Sequence, residues 1–241
     1  MERSAVEGND IVISAQHAVT ADLAERGYCL LRGPDFVFDP ADAAMLARLA
    51  EAWNDLPADP YMREPHRYRF RRHARYRYAG DALVRQPDGP YFQSRQDNKL
   101  FGGEERIFAP VDAAVGANPF LHGLLRFSVA QLPAAAGWDI NVHLVRIVGS
   151  QDVVGEPVPE GVHRDGFAYV SMHLMKRENV VGGETEVRTE DGVHLMKGVL
   201  RTPLDSLYLD DRALLHYTSP ISPAGTEPAH RDMLLVSYNQ S

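Results

Sequence analysis

Three residues of this 241-residue chain have the types and spacing to hold a metal ion: His163, Asp165 and His216. His163 and Asp165 are two apart in a segment that reads as extended, so both side chains leave the backbone on the same side. His216 sits in the strand-like stretch 214–218 and can add a third ligand from a neighbouring strand. Two imidazoles and one carboxylate on one face leave open positions on an octahedral Fe(II), the arrangement used in non-haem iron oxygenases. A His-x-Asp dyad alone says little, because a chain with 10 His supplies one by chance and this chain has a second, His230-Arg231-Asp232. Position separates the two. Only nine residues follow Asp232, too few for a further histidine strand, whereas His216 lies 51 residues beyond Asp165.

The second dyad contributes Arg231 instead, at the start of an apolar strand, where a guanidinium can grip a carboxylate through two parallel hydrogen bonds. Thr218, on the same strand face as His216, either adds a hydroxyl hydrogen bond or fills space as a β-branched strand residue. His-Arg-Asp also occurs in protein-kinase catalytic loops. That reading fails: the asparagine needed five residues after the aspartate is Val170 in one case and Ser237 in the other, and no glycine-rich loop is present.

The lone cysteine, Cys29, excludes an intrachain disulfide and a cysteine-built zinc or iron–sulfur site. A formal charge of -8 argues against nucleic acid or an anionic membrane as partner. The exception is 63–77, where seven arginines and one acid concentrate positive charge in a stretch suited either to steering an anion or to surface ion pairs. No apolar run approaches the roughly 20 residues of a membrane span. Acids at positions 2 and 7 stand where a secretory signal would have its basic patch and apolar stretch. The expectation is a cytoplasmic protein, monomeric or a small homo-oligomer, acting on a small molecule.

The elements that must position these residues follow from periodicity. Thr20 is placed to cap a short helix, 21–26, ending at Gly27. Asp39-Pro40 opens a helix to about residue 54, and Asn118-Pro119 opens another to about residue 132. From residue 141 onward, short alternating segments broken by Gly, Pro, Asn and Asp predict strands at 142–148, 168–174, 185–188, 193–196, 206–209, 214–218 and 232–238. The expected fold is α+β, mainly β, with helices packed on a cupin-like jelly roll. One domain spans 1–241, helical support and leading strands to about 135 and the β core at about 140–240.

Holding a small zwitterion requires a cation for its carboxylate and an acceptor for its amine. Alternate residues of a short strand at 67–72 offer Arg69 for the carboxylate. Arg146, a charge inside an apolar strand, is a second candidate or a structural ion pair. Gln93 and Asn98 are candidates for polar contacts with substrate or cosubstrate, and Glu184 for the amine. His173 reads as a core histidine, and His17, His66, His73, His122 and His194 as surface or structural.

The order of these segments resembles one family. The motifs are 161–166 (Gly-Val-His-Arg-Asp-Gly), 176–186 with Gly182-Gly183-Glu184, 209–216 ending in His216, and Arg231-Asp232-Met233-Leu234; upstream lie Phe92-Gln93-Ser94 with Asn98, and Gly102-Gly103 with Arg106. Over about residues 60–240 the chain is similar to the bacterial Fe(II)/2-oxoglutarate dioxygenases related to isoleucine 4-hydroxylase, which hydroxylate free amino acids. The resemblance implies a double-stranded β-helix, iron on His163, Asp165 and His216, and Arg231 on the far carboxylate of 2-oxoglutarate. It further implies O₂ as co-reactant, with succinate and CO₂ as products beside a hydroxylated aliphatic or cyclic L-amino acid such as isoleucine, leucine, methionine or pipecolate. Two rival readings use the same residues: a metal-dependent isomerase, epimerase or hydrolase, and a non-catalytic ligand-binding jelly roll.

Overall fold

The computed structural model describes residues 11–62 and 67–241. The leader reading at 1–7, Arg63 at the head of the basic run and His66 lie outside the described residues. The chain is mainly β with a few helices. Its strands, in chain order, include β1 (Tyr28–Leu31), β2 (Arg69–Ala79), β3 (Ala82–Arg85), β4 (Gly137–Gly149), β5 (Tyr169–Glu178), β6 (Glu184–Arg188), β7 (His194–Val199), β8 (Ser206–Asp210), β9 (Leu215–Thr218) and β10 (Ala229–Gln240). Seven of them form one antiparallel sheet in the order β1-β8-β5-β10-β4-β2-β3, and three form a second in the order β7-β6-β9.

Before residue 135 the described residues form both helices and strands. The basic segment forms an eleven-residue strand, β2, paired along its whole length with β4 from Arg69↔Ile147 to Ala79↔Gly137. The helices α1 (Val19–Arg26), α2 (Ala43–Glu51) and α3 (Pro119–Gln131) support the sheet. Asn118 caps α3 by accepting from the amides of Phe120 and Leu121, as its position before a proline predicts. Asp39 accepts from Ala41 N and caps a 3₁₀ turn, Pro40–Asp42, that runs without a break into α2 and on to a second 3₁₀ turn, Ala52–Asp55, so the helical segment opens and ends about where expected. Thr20 caps nothing: Ala18 is the residue before α1, and the Thr20 hydroxyl donates to Gln131 Oε1 instead. No helix among the described residues is long and apolar enough to cross a membrane.

Both faces of the large sheet are buried, which decides where every side chain on β4, β5 and β10 goes. On one face Leu144, Tyr169, Met175, Leu234 and Val236 pack with Leu49, Trp53, Phe120 and Leu124 of the helical layer. On the other, Val170, Met172, Leu174 and Met233 pack with Val187 of the small sheet, so the two sheets face one another. Between them opens a cleft.

Candidate metal centre and the cavity around it

The two histidines are brought together by backbone hydrogen bonds. His163 N donates to His216 O at 3.1 Å and His216 N donates to His163 O at 2.9 Å, an isolated antiparallel bridge that sets the side chains opposite each other with ring centroids 4.3 Å apart. Asp165 completes the group. His163 Nε2 lies 3.5 Å from Asp165 Oδ1, and His216 Nε2 lies 3.6 Å from Asp165 Oδ2. The three potential ligand atoms all fall within 4.8 Å of one another, and among the described residues this is the group of His, Cys, Asp or Glu side chains able to hold an ion.

The surroundings orient these ligands. His163 Nδ1 is 3.1 Å from Gly161 O, to which it donates, leaving Nε2 to face the centre. Asp211, fully buried, accepts from the amides of Asp165, Gly166 and Phe167 at 3.0, 2.7 and 2.9 Å, and so clamps the loop that carries Asp165. Its Oδ1 stands 3.9 Å from His216 Nδ1. Burial, reinforced by the Asp165 charge, raises the Asp211 carboxyl to about 7 against the pull of those three amides. Burial lowers His216 to about 3, with the neighbouring His163 adding to the effect, so its ring is neutral and free to ligate. Burial also opposes charge on His163, but the hydrogen bond and charge of Asp165 outweigh it and raise the imidazole to about 9. The donor set, two imidazoles and a carboxylate with neither ring tied up at Nε2 by a competing neutral partner, suits Fe(II).

Arg231 and Thr218 line the same cleft. The Arg231 guanidinium is buried, its Nε has no hydrogen-bond partner, and no carboxylate pairs with it among the described residues. Burial, then the charge of Arg177, lowers it to about 10, which still leaves it cationic at neutral pH. Thr218 Oγ1 is 3.2 Å from Thr185 Oγ1. Arg69 also lines the cleft, with Nε donating to buried Asp59 at 2.7 Å and Nη2 unpartnered. Arg71 and Arg106, which sequence reasoning did not single out for this role, also line the cleft: Arg106 shares the Phe101 ring with Arg69 and the Phe108 ring with Arg71. Period two along β2 puts Arg69 and Arg71 on one face and sends Arg72 to the other, where it bonds Pro110 O and Asp55.

Three expectations are corrected. Arg146 is absent from the cleft: on β4 it is Val145 and Ile147 that face inward, so Arg146 points to the other side and forks onto Asp232, directly across on β10, at 2.6 and 2.7 Å. It is a structural ion pair. Gln93 and Asn98 do line the cleft, but their hydrogen-bonding capacity is spent. Gln93 Nε2 donates to Asp165 O and Oδ1, and its Oε1 accepts from Asn98 and Arg106. Asn98 donates to Gln93 and Glu160 and accepts from the amides of Leu100 and Phe101, which uses all four bonds an amide side chain offers. Both therefore position other residues. Glu184 lies in β6 at the surface, paired with Lys197 at 3.0 Å. His173 is a buried core residue, between Ser171 and Ser206.

Two further cavity residues escaped the sequence reading. His143 Nδ1 accepts from Arg71 Nη2 at 2.8 Å, which places its proton on Nε2, a buried donor with no partner. Glu160 Oε2 is a buried acceptor without one. The strand 142–148 marked His143 as one of its alternate positions, but both faces of that strand are apolar enough to hide which one is functional.

The L-isoleucine-4-hydroxylase of Bacillus thuringiensis is 22% identical over 225 residues, covering 90% of this chain and 92% of that one. Among solved structures, a BsmA homologue from Methylobium petroleophilum PM1 matches with a TM-score of 0.82 at 28% identity, covering 92% of each chain. The structure of IDO from Bacillus thuringiensis matches with a TM-score of 0.77 at 19% identity, covering 92% of this chain and 94% of that one. The sequence model of one family matches residues 50–237, which include the His163, Asp165, His216 group and Arg231: the chain belongs to the 2OG-Fe dioxygenases.

Proposed function

We propose that this enzyme hydroxylates an unactivated C–H bond of a free L-amino acid, aliphatic or cyclic, such as isoleucine, leucine, methionine or pipecolate, converting 2-oxoglutarate to succinate and CO₂. The fold reading that accompanies it is a double-stranded β-helix, with the large and small sheets as its walls. Fe(II), 2-oxoglutarate and O₂ are the cofactor and co-reactants of the family. Family membership in a dioxygenase class leaves the isomerase, hydrolase and non-catalytic readings without support.

The observation that carries the reading is a cavity with two separate cationic positions. Arg69 on β2, Ile147 on β4 and Arg231 on β10 form one transverse row of the sheet, since Ile147 is in register with both arginines. With strands about 4.8 Å apart, the two arginine backbones stand about 10 Å from each other. Ile147 and Val145 make the partition between them apolar. One cavity with two cationic positions fits two carboxylates, one from the cosubstrate and one from the substrate.

His163, Asp165 and His216 would hold Fe(II), which when bound supplies the activation of O₂ and couples oxidation of 2-oxoglutarate to oxidation of the substrate. Arg231 pairs with the distal carboxylate of 2-oxoglutarate, a group whose burial is costly without a cation, and Thr218 adds a hydroxyl on the same side. Arg69, helped by Arg71 and Arg106, pairs with the substrate carboxylate. The apolar residues Val145, Met172 and Met233 exclude water from the space between. Which carbon reacts is then a matter of how the substrate is held.

A panel of free amino acids, incubated with Fe(II), ascorbate and 2-oxoglutarate and analysed by mass spectrometry, tests the reading. The expected result is gain of one oxygen on at least one of the four named amino acids, with its amide reacting more than about tenfold more slowly because the charge-assisted pair is lost. Efficient hydroxylation of the same residue inside a peptide would overturn it.

A further inference from the structure

The residues around the arginine wall carry an asymmetry that the carboxylate alone does not use. Arg69 Nη2, Arg71 Nε, Arg106 Nε and His143 Nε2 are all buried donors without partners, whereas the unpartnered buried oxygens of the same cavity are Glu160 Oε2, which is the charged one, and the Ser237 hydroxyl. Apart from Asp165, Glu160 is the one carboxylate among the described residues that line it. No basic side chain of the described residues forms an ion pair with it. A buried carboxylate oxygen without a hydrogen bond is costly even with the charges of Arg106 and His163 in the same cavity, and a ligand that brings a positively charged donor removes that cost.

Building on the free-amino-acid reading, we propose that Glu160 is the acceptor for the substrate ammonium group, so that the cavity selects molecules carrying a charged amine beside the carboxylate and rejects their deaminated and N-acylated counterparts. The donor wall takes the carboxylate and Glu160 takes the amine. The position of Glu160 is fixed on both sides. Its Oε1 accepts from Asn98 Nδ2 at 3.1 Å; Asn98 in turn donates to Gln93 at 3.2 Å, and Gln93 donates to Asp165. Along the chain, Glu160 is three residues from His163, with Gly161 between them adopting φ +82 and its carbonyl accepting from the His163 ring. The amine acceptor is therefore tied to two of the three proposed metal ligands, which sets the substrate's amine end at a constant place relative to the reacting centre. An N-acyl group would bring a single uncharged N–H and added bulk. A deaminated acid would leave Glu160 Oε2 unpaired, and sites built to hydrogen-bond a polar group discriminate strongly against analogues lacking it.

Binding separates this proposal from catalysis. Protein loaded with Zn(II), which has no redox chemistry, and with 2-oxoglutarate is titrated calorimetrically with L-leucine and L-isoleucine, with their deaminated counterparts 4-methylpentanoate and 3-methylpentanoate, and with N-acetyl-L-leucine. The wild-type protein is expected to favour the free amino acid over both analogues by at least about tenfold. Glu160→Gln keeps the shape and the Asn98 contact, and should bring amino acid and deaminated acid to within about threefold, mainly by weakening the former. Glu160→Ala should do the same, and melting curves close to wild type show that both variants are folded. An unchanged preference in folded Glu160→Gln overturns the assignment and leaves the free-amino-acid reading standing. A wild-type protein that binds the deaminated acids and neither amino acid overturns both.

Discussion

Gln93 Nε2 donates to both oxygens that Asp165 turns toward it, the main-chain carbonyl at 2.9 Å and Oδ1 at 3.1 Å. One amide thus fixes the backbone and the side chain of a proposed metal ligand together, while Arg106 and Asn98 hold the far side of the same amide. This is a positioning role, and it separates Gln93 from the substrate contact that its sequence position suggests. Gln93→Ala should weaken Mn(II) or Fe(II) binding by about 10–100-fold, the usual effect of losing a partner that orients a ligand. Metal titration followed by electron paramagnetic resonance or calorimetry reads this directly. An unchanged metal affinity with a raised amino-acid KM would return Gln93 to the substrate.

Arg231 is proposed to meet the distal carboxylate of 2-oxoglutarate with a planar fork that lysine lacks. Arg231→Lys should raise the KM for 2-oxoglutarate by more than about tenfold and leave the amino-acid KM within about twofold. If the amino-acid KM alone moved, the two cationic positions of the cavity would have to exchange roles.

Arg146 and Asp232 form the opposite case, a pair outside the cavity with Asp232 almost wholly buried. Asp232→Asn leaves the guanidinium without its counter-charge and should cost about 3 kcal/mol of stability in urea unfolding. Arg146→Met combined with Asp232→Leu should recover most of that loss, since the burial of both charges is removed at once. An amino-acid KM that rose strongly in the Arg146→Met, Asp232→Leu protein would contradict the structural role.

His173 gives a pH signature that can be isolated. Tyr238 and Ser171 hydroxyls, the His173 ring and the Ser206 hydroxyl form a buried hydrogen-bonded chain that ends on Leu204 O, and burial lowers His173 to about 3. The folded ring stays neutral where the unfolded one, with a value near 6.5, takes up a proton. Its contribution is complete above about pH 7 and is lost as pH falls from 6.5 toward 3, at up to about 1.4 kcal/mol per pH unit. Wild-type protein should therefore lose about 2 kcal/mol more than His173→Gln between pH 7 and pH 5. Comparing the two proteins at both pH values cancels other titrating groups such as Asp211. Equal losses in the two proteins would mean that the folded His173 ring takes up its proton as readily as the unfolded one.

The main strands from residue 142 onward were legible because alternation with period two survives any tertiary arrangement, though not the short pairs Val180–Gly182 and Ile221–Pro223, and the Asn118 cap was legible because it is a local hydrogen bond. The His163, Asp165, His216 group was readable for a related reason: two residues apart in extended chain means one side, and a third histidine needed only a later strand. The side on which Arg146 falls was not readable. Strand β4 is buried on both faces, against helices on one and the small sheet on the other, so apolar and polar positions do not separate by parity. Pairing with β10 decides it, by setting Asp232 opposite Arg146 and Arg231 opposite Ile147. Glu160, Asp211 and the saturation of Gln93 and Asn98 were likewise beyond the sequence, because each depends on loops far apart in the chain meeting at hydrogen-bond distance. Residue type and spacing determined which groups this protein has for chemistry; which of them still have a hydrogen bond to give was settled only when the tertiary structure paired the rest.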